Sequence, residues 1–286
     1  MSSFELATDE HRAELGEGPI WSARENALYW VDVLGRRAHR LALNHPTVST
    51  WMLPEMISWL IERQGHPGFI AGLESGFVEL TLDPFLIRPI GDPEPHLQHS
   101  RMNDAKVDAE GRIWAGTMDL DGAVPVGALY RFDRDHVWHK MDAGYLVSNG
   151  PTFSVDGRFL YHTDSYRHIV YRFELRADGT LANKTRFIEF EQSWGFPDGM
   201  TTDAQDYLWI AHYGGGRITR FDPAGNVDRE VKLPASQITS CVFAGPQLDR
   251  MFVTSAACGV PGEALAGSVF EIDPGVRGVV QKPFAG

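Results

Sequence analysis

Three short stretches set an oxygen-bearing side chain directly ahead of a glycine: Glu17 in GEGPIW, Asn149 in SNGPTF and Asp198 in FPDGM. Two carboxylates and one neutral amide oxygen are donors suited to a hard divalent cation. Calcium accepts about six to eight oxygens and tolerates waters, whereas magnesium demands a tighter octahedron. Imidazole or thiolate would shift the choice toward zinc, iron or copper, and neither occurs at these positions. Three protein ligands leave places for water or substrate, as a catalytic ion requires. Singly, an Asp or Asn before Gly is an ordinary turn former. The metal reading therefore depends on the three meeting at one point, with Gly18, Gly150 and Gly199 letting backbone pass close to the ion.

Arg101 and Asn103, in HSRMNDAKVDAEG, are the candidate substrate contacts. A guanidinium offers a fixed fork of donors to a carboxylate, carbonyl or hydroxyl. A side-chain amide offers donor and acceptor together, which suits vicinal hydroxyls. Asp104 and Asp108 are assigned to turns, because Asp108 to Gly111 has the form of a hairpin connection. His212 closes a strand at the register of Asp32, Thr117, Asp164 and Ser255, where it could meet substrate or carry a proton. A packed, neutral imidazole is the stronger expectation there. Tyr213 would floor the pocket, and the eight tryptophans are expected in the core.

Such distant residues need elements that bring them together. Apolar strands rich in β-branched and aromatic residues recur: ALYWVDV, GFIAGL, RIWAGTM, FLYHTDS, YLWIAHY and RMFVTSA. Each follows a turn and precedes a second strand, the hairpin signal. Aligned at Leu28, Phe69, Ile113, Leu160, Leu208 and Met251, the units are spaced 41, 44, 47, 48 and 43 residues apart. That period predicts an all-β, six-bladed β-propeller of four-stranded antiparallel blades around a central channel. A sandwich or stacked barrels would leave the repeat unexplained. Residues 1–286 are expected to form a single domain, with Phe4 to Leu15 supplying a strand to the last blade. Ten or eleven residues before each anchor stand Glu17, Ser58, Asn103, Asn149, Asp198 and Ser240, all polar. They fall at the start of the innermost strands, so a closed ring would gather them at one mouth of the channel.

Composition removes several alternatives. A net charge of −12 without a Lys/Arg run leaves no basic footprint for nucleic acid or an anionic membrane. No stretch approaches the ~18 apolar residues of a membrane span, and the N-terminal MSSFELATDEHRAEL has no apolar core like that of a signal peptide. Two cysteines, Cys241 and Cys258, do not make a disulfide framework and fit a reducing cytoplasm.

The sequence resembles the senescence-marker-protein/gluconolactonase/luciferin-regenerating-enzyme-like family over nearly its whole length. The likeness is carried by LGEGPIW, LYWVDVLGRRAHRL, RMNDAKVDAEGRIWAGTM, GALYRFD, SNGPTFSVDG, YHTDS, FPDGMTTD, LWIAHYGGGRITRFDP and TSCVFAGPQLDRMFVTSA, in that order. The resemblance implies one divalent metal on Glu17, Asn149 and Asp198, substrate contacts at Arg101 and Asn103, and Asp198 as catalytic acid/base. It implies hydrolysis of a sugar lactone to the aldonic acid. Calcium is the first expectation for the metal, with zinc, manganese, magnesium and ferrous iron as the family's alternatives. A further acidic contact would fall near Asp119 or Asp121, in a loop that differs from the family pattern. Two other readings remain: a broad ester or organophosphate hydrolase on the same metal, and a non-enzymatic calcium-binding or docking propeller.

Overall fold

The computed structural model describes residues 4–9 and 11–286. Among them are twenty-four strands, β1 to β24 in chain order, in six four-stranded antiparallel sheets. The first blade holds β2 to β5 (Gly16–Ser22, Ala27–Asp32, Arg37–Ala42, His45–Met52) and the second β6 to β9 (Ile57–Glu62, Phe69–Leu73, Gly76–Leu82, Phe85–Gly91). The third holds β10 to β13 (Ser100–Val107, Ile113–Asp119, Gly127–Phe132, Trp138–Tyr145), and the fourth β14 to β17 (Ser148–Phe153, Phe159–Asp164, Ile169–Leu175, Leu181–Glu189). The fifth holds β18 to β21 (Phe196–Thr202, Leu208–Tyr213, Arg217–Phe221, Val227–Lys232). The sixth joins β22 to β24 (Ile238–Ala244, Arg250–Ser255, Phe270–Ile272) to β1 (Phe4–Leu6) from the other end of the chain.

This is the six-bladed propeller the repeat predicts, and β1 closes it. Phe4 pairs with Ile272 and Leu6 with Phe270. Outer strands are polar and irregular, and β9 escapes the repeat pattern because Pro89 interrupts it. A proline is tolerated on an outer edge, where no neighbour needs its missing N–H. The second strands are buried along nearly their full length, since each is covered by blades on both sides. That explains their unbroken apolar runs.

The core is divided rather than central. Six clusters of buried side chains each combine residues of two neighbouring blades, so every seam of the ring has its own. Of the eight tryptophans expected in the core, Trp30, Trp59, Trp114 and Trp209 are fully buried in these seams, while Trp21, Trp51, Trp138 and Trp194 are only partly buried against them. The first strands touch their counterparts around the ring, β2 meeting both β6 and β22. Their N-terminal ends define one face of the channel.

The chain after β24 crosses the opposite face. Gly278 N–H donates to Leu248 O (2.8 Å) and Ala204 N–H to Arg277 O (2.9 Å), tying this tail to blades five and six. Phe284 N–H then donates to Glu62 O (2.8 Å), and Ala285 N–H to Gly111 O (3.0 Å), at blades two and three. Phe284 is buried against Phe132. Among the described residues no helix is long and apolar enough to cross a membrane.

Candidate functional site

Every innermost strand breaks register near its start. The shifts fall between Glu17 and Ile20, Ile57 and Trp59, Met102 and Ala105, Asn149 and Thr152, Pro197 and Met200, and Ile238 and Ser240. Each is a bulge with one more residue on the inner strand than on its partner. Bulges re-aim side chains, and here they turn the polar positions out of the ladder. The glycines serve this packing. A Cβ on Gly199 would sit 2.3 Å from Ser240 Oγ, and one on Gly18 3.0 Å from Ser58 O, each in the next blade. Gly18 and Gly150 also hold φ of +52° and +69°. Whatever they do beside an ion, these glycines make close contact with the neighbouring inner strand.

The structure brings Glu17, Arg101, Asn103, Asn149 and Asp198 together. Arg101 Nη1 donates to Asn103 Oδ1 (2.7 Å), Met102 O (2.8 Å) and Ser58 Oγ (3.4 Å). Asn103 Nδ2 donates to Asn149 Oδ1 (2.8 Å) and Ser148 O (2.7 Å). Asn149 Nδ2 donates to Ser165 Oγ (2.9 Å), which fixes its amide with the oxygen on the Asn103 side. Asn103 therefore uses both amide hydrogens inside the protein and retains one lone pair on Oδ1. All the bonds of Arg101 leave from Nη1, so the rest of its fork remains for a ligand.

Asp104, assigned from sequence to a turn, belongs to this cluster. It is 5% exposed, and its Oδ2 has no hydrogen-bond partner. Asp198 is equally buried, with Oδ1 unpartnered. Burial, then Asp104, raises Glu17 to about 8, against the Gly18 N–H, Arg101 and Lys106. Burial raises Asp104 to about 6, while Lys106 and the Ala105 and Gly150 N–H groups oppose the shift. Burial, Glu17 and Asp104 together raise Asp198 well above the carboxylate range. Arg101 falls to about 10 because burial outweighs Glu17, Asp198 and Glu74.

These carboxylates repel one another in a poorly hydrated throat and are not fully paired. A buried charge needs a partner, and a divalent cation would supply it. Glu17, Asn149 and Asp198 present oxygen only, so the residues fit the hard-cation expectation. Among the described residues no group of three His, Cys, Asp or Glu side chains converges into a metal cluster. The expected set contains only two carboxylates, with an amide as its third member.

The other candidates lie outside this constellation. His212 is fully buried, packs its ring 4.6 Å from Phe190, and has Nδ1 2.9 Å from Trp194 O. Burial lowers it to about 4, so it is a neutral packing residue. Asp32 and Asp164, at its register, take backbone N–H groups of the incoming loops. Asp119 accepts the Ala123 N–H (2.9 Å) within its loop, and exposed Asp121 lies 3.0 Å from His99. Tyr213 borders the mouth, where the Asp198 charge acts on its phenol, and its hydroxyl is 3.6 Å from Cys258 Sγ. Ser58 donates to Met102 O (2.6 Å), and Ser240 packs under Gly199, so these two ring positions lock blades.

Fold and site together define a propeller with an acid-and-amide cluster at one mouth of its channel. Residues 15–257 match the model of the SMP-30/gluconolactonase/LRE-like region. A 6-deoxy-6-sulfogluconolactonase of Pseudomonas putida is 38% identical over 283 residues, covering 95% of each chain. The structure of a luciferin-regenerating enzyme superposes with a TM-score of 0.94 at 28% identity, covering 100% of both chains. A calcium-binding regucalcin of Agrobacterium tumefaciens gives 0.93 at 26% identity, covering 99% of this chain and 97% of that one. The chain belongs to the SMP-30/gluconolactonase/LRE-like family.

Proposed function

We propose that this protein hydrolyses a sugar lactone to the aldonic acid with one divalent metal, calcium in the first instance, held by Glu17, Asn149 and Asp198. Family membership makes it a lactone-hydrolysing hydrolase. The observation that carries the finer reading is the cluster of buried, mutually repelling carboxylates with unpartnered oxygens beside Arg101 and Asn149. Such a cluster costs stability unless a cation or proton enters it.

A lactone is an activated ester, so its opening needs a polarised carbonyl and a water that loses a proton. When bound, the cation supplies Lewis-acid polarisation of the carbonyl. Asp198 accepts the proton of the attacking water, a step worth roughly 10²–10⁴-fold. The guanidinium of Arg101 faces the negative charge that develops on the carbonyl oxygen. Asn103 holds Arg101 and Asn149 in register through its two side-chain contacts, and its free lone pair accepts a substrate hydroxyl. Residues 1–286 act as one domain on a small-molecule substrate, and the two free thiols suit a cytoplasmic setting.

The test is a panel of aldonolactones followed by proton release, with each of several divalent metals and after chelation. Turnover of at least one lactone should vanish on chelation and return with metal. Unchanged turnover in chelated protein would refute the metal-dependent mechanism.

A further inference from the structure

A well-formed cavity lies away from the mouth just described. It opens at the opposite end of the channel, has a volume of about 640 Å³, and is walled on one side by Val279 to Lys282 of the C-terminal tail. That volume falls within the ~300–1,000 Å³ of small-molecule sites. Its lining contains five cationic side chains and three carboxylates. Two of the cations are already engaged: Arg112 Nε lies 2.7 Å from Asp108 Oδ2, and Arg158 Nε pairs with Asp156. Lys106, Arg176 and Lys282 make no ion pair among the described residues, and Glu110 is the single lining carboxylate left to oppose them. A chain of net charge −12 thus concentrates unpaired positive charge in this hollow.

The placement of these groups is specific. Lys106 is half-buried on inner strand β10, below the carboxylate cluster, while Arg176 and Lys282 stand exposed at the rim. Thr201 adds a buried residue with a hydroxyl to the lining. Val155 and Val280 are 50% and 67% exposed on the same walls, apolar surface with nothing covering it. The tail is tied down on both sides of the cavity, so the wall it forms is fixed. Low-dielectric walls carrying one sign of charge focus the field on a ligand of opposite sign.

We propose that this cavity is a second ligand site, for a small metabolite carrying a phosphate or carboxylate on a short carbon skeleton. Lys106 meets the anionic group at the floor, Arg176 and Lys282 flank it, and the valines cover the skeleton. The site is spatially separate from the lactone-binding mouth, although the Lys106 charge also reaches Glu17 and Asp104 there.

Calorimetric titration of the metal-loaded protein with inorganic phosphate, and separately with succinate, tests this and distinguishes the two anion chemistries. At least one probe should saturate below about 10 mM, as a charge-assisted site requires. Lys106→Met should weaken it about tenfold or more, the loss of one such bond. The surface pair Arg176→Gln/Lys282→Gln, which disturbs no buried group, should weaken it at least about threefold. Arg101→Met, at the other mouth, should leave it unchanged. Binding of neither probe, binding indifferent to the Arg176/Lys282 pair, or binding lost in Arg101→Met would each overturn the proposal.

Discussion

Proton and cation should compete for the carboxylate cluster, and the pH dependence of metal affinity is the sharpest consequence. Glu17 ordinarily titrates near 4.5 and is raised to about 8, with Asp198 shifted the same way. At about pH 6 the metal-free Glu17 carboxyl is therefore almost wholly protonated, and a cation must expel that proton to bind. One obligatory proton costs about tenfold in apparent affinity per pH unit below the raised value. Glu17 keeps some solvent contact at the mouth, which screens the effect. Calcium affinity should fall roughly ten- to hundredfold from about pH 8 to about pH 6. Stability follows with a definite sign. A carboxyl raised in the folded state contributes stability below its unfolded value of 4.5, and that contribution is lost as pH rises through about 8. Metal-free protein should thus weaken across this window, and calcium should raise Tm more at about pH 8 than at about pH 6. Calorimetric titrations in two buffers of different ionisation enthalpy would count the protons released. Affinities agreeing within about twofold at the two pH values would refute the reasoning, because an uncompensated acid cluster cannot bind a cation without this linkage.

Three substitutions probe other parts of the structure. Asp198→Ala should lower kcat by about 10²-fold or more with the fold retained, measured by proton release on the best lactone; near-normal turnover would place the base elsewhere. Gly199→Ala sets a Cβ 2.3 Å from Ser240 Oγ and 2.9 Å from Thr239 O, so it should destabilise by about 1–3 kcal/mol in urea unfolding. Asp203→Ala strips buried Arg220 of one carboxylate while Asp228 remains, and should cost about 3 kcal/mol by the same measurement, without altering metal affinity.

Much of this architecture was legible because a propeller writes its period into the chain. The second strands announce themselves, since burial on both faces forces continuous apolar sequence, and the polar residue before each one marks the inner strand. The last blade was also readable, because an unassigned N-terminal segment had to pair somewhere. What escaped has physical reasons. The outer strand Phe85–Gly91 carries proline and exposed residues, so alternation is lost. The tail beyond β24 is held by a few backbone bonds and one buried phenylalanine, which leave no periodicity. Asp104 was the costly omission, although a signal existed. The residue after Glu17, Asn149 and Asp198 is glycine, and in the corresponding place after Asn103 it is an aspartate.

That substitution matters because residue type alone does not separate structural from functional acids in this chain. Asp108 is 2% exposed and takes the N–H groups of Glu110, Arg112 and Trp114 along with Arg112 Nε. Asp203 is fully buried and receives Gln205, Tyr207, Trp209 Nε1 and Arg220 Nε. Both are as buried as Asp104 and Asp198, yet both are saturated with hydrogen-bond donors, so their burial leaves no oxygen unpartnered. Asp104 and Asp198 each leave an oxygen bare and are pushed upward in pKa. The fold could have satisfied them as it satisfied Asp108, with a turn and an arginine. It surrounds them instead with further carboxylate, which the charges of Arg101 and Lys106 only partly offset, and that residual demand for positive charge is what the proposed cation would meet.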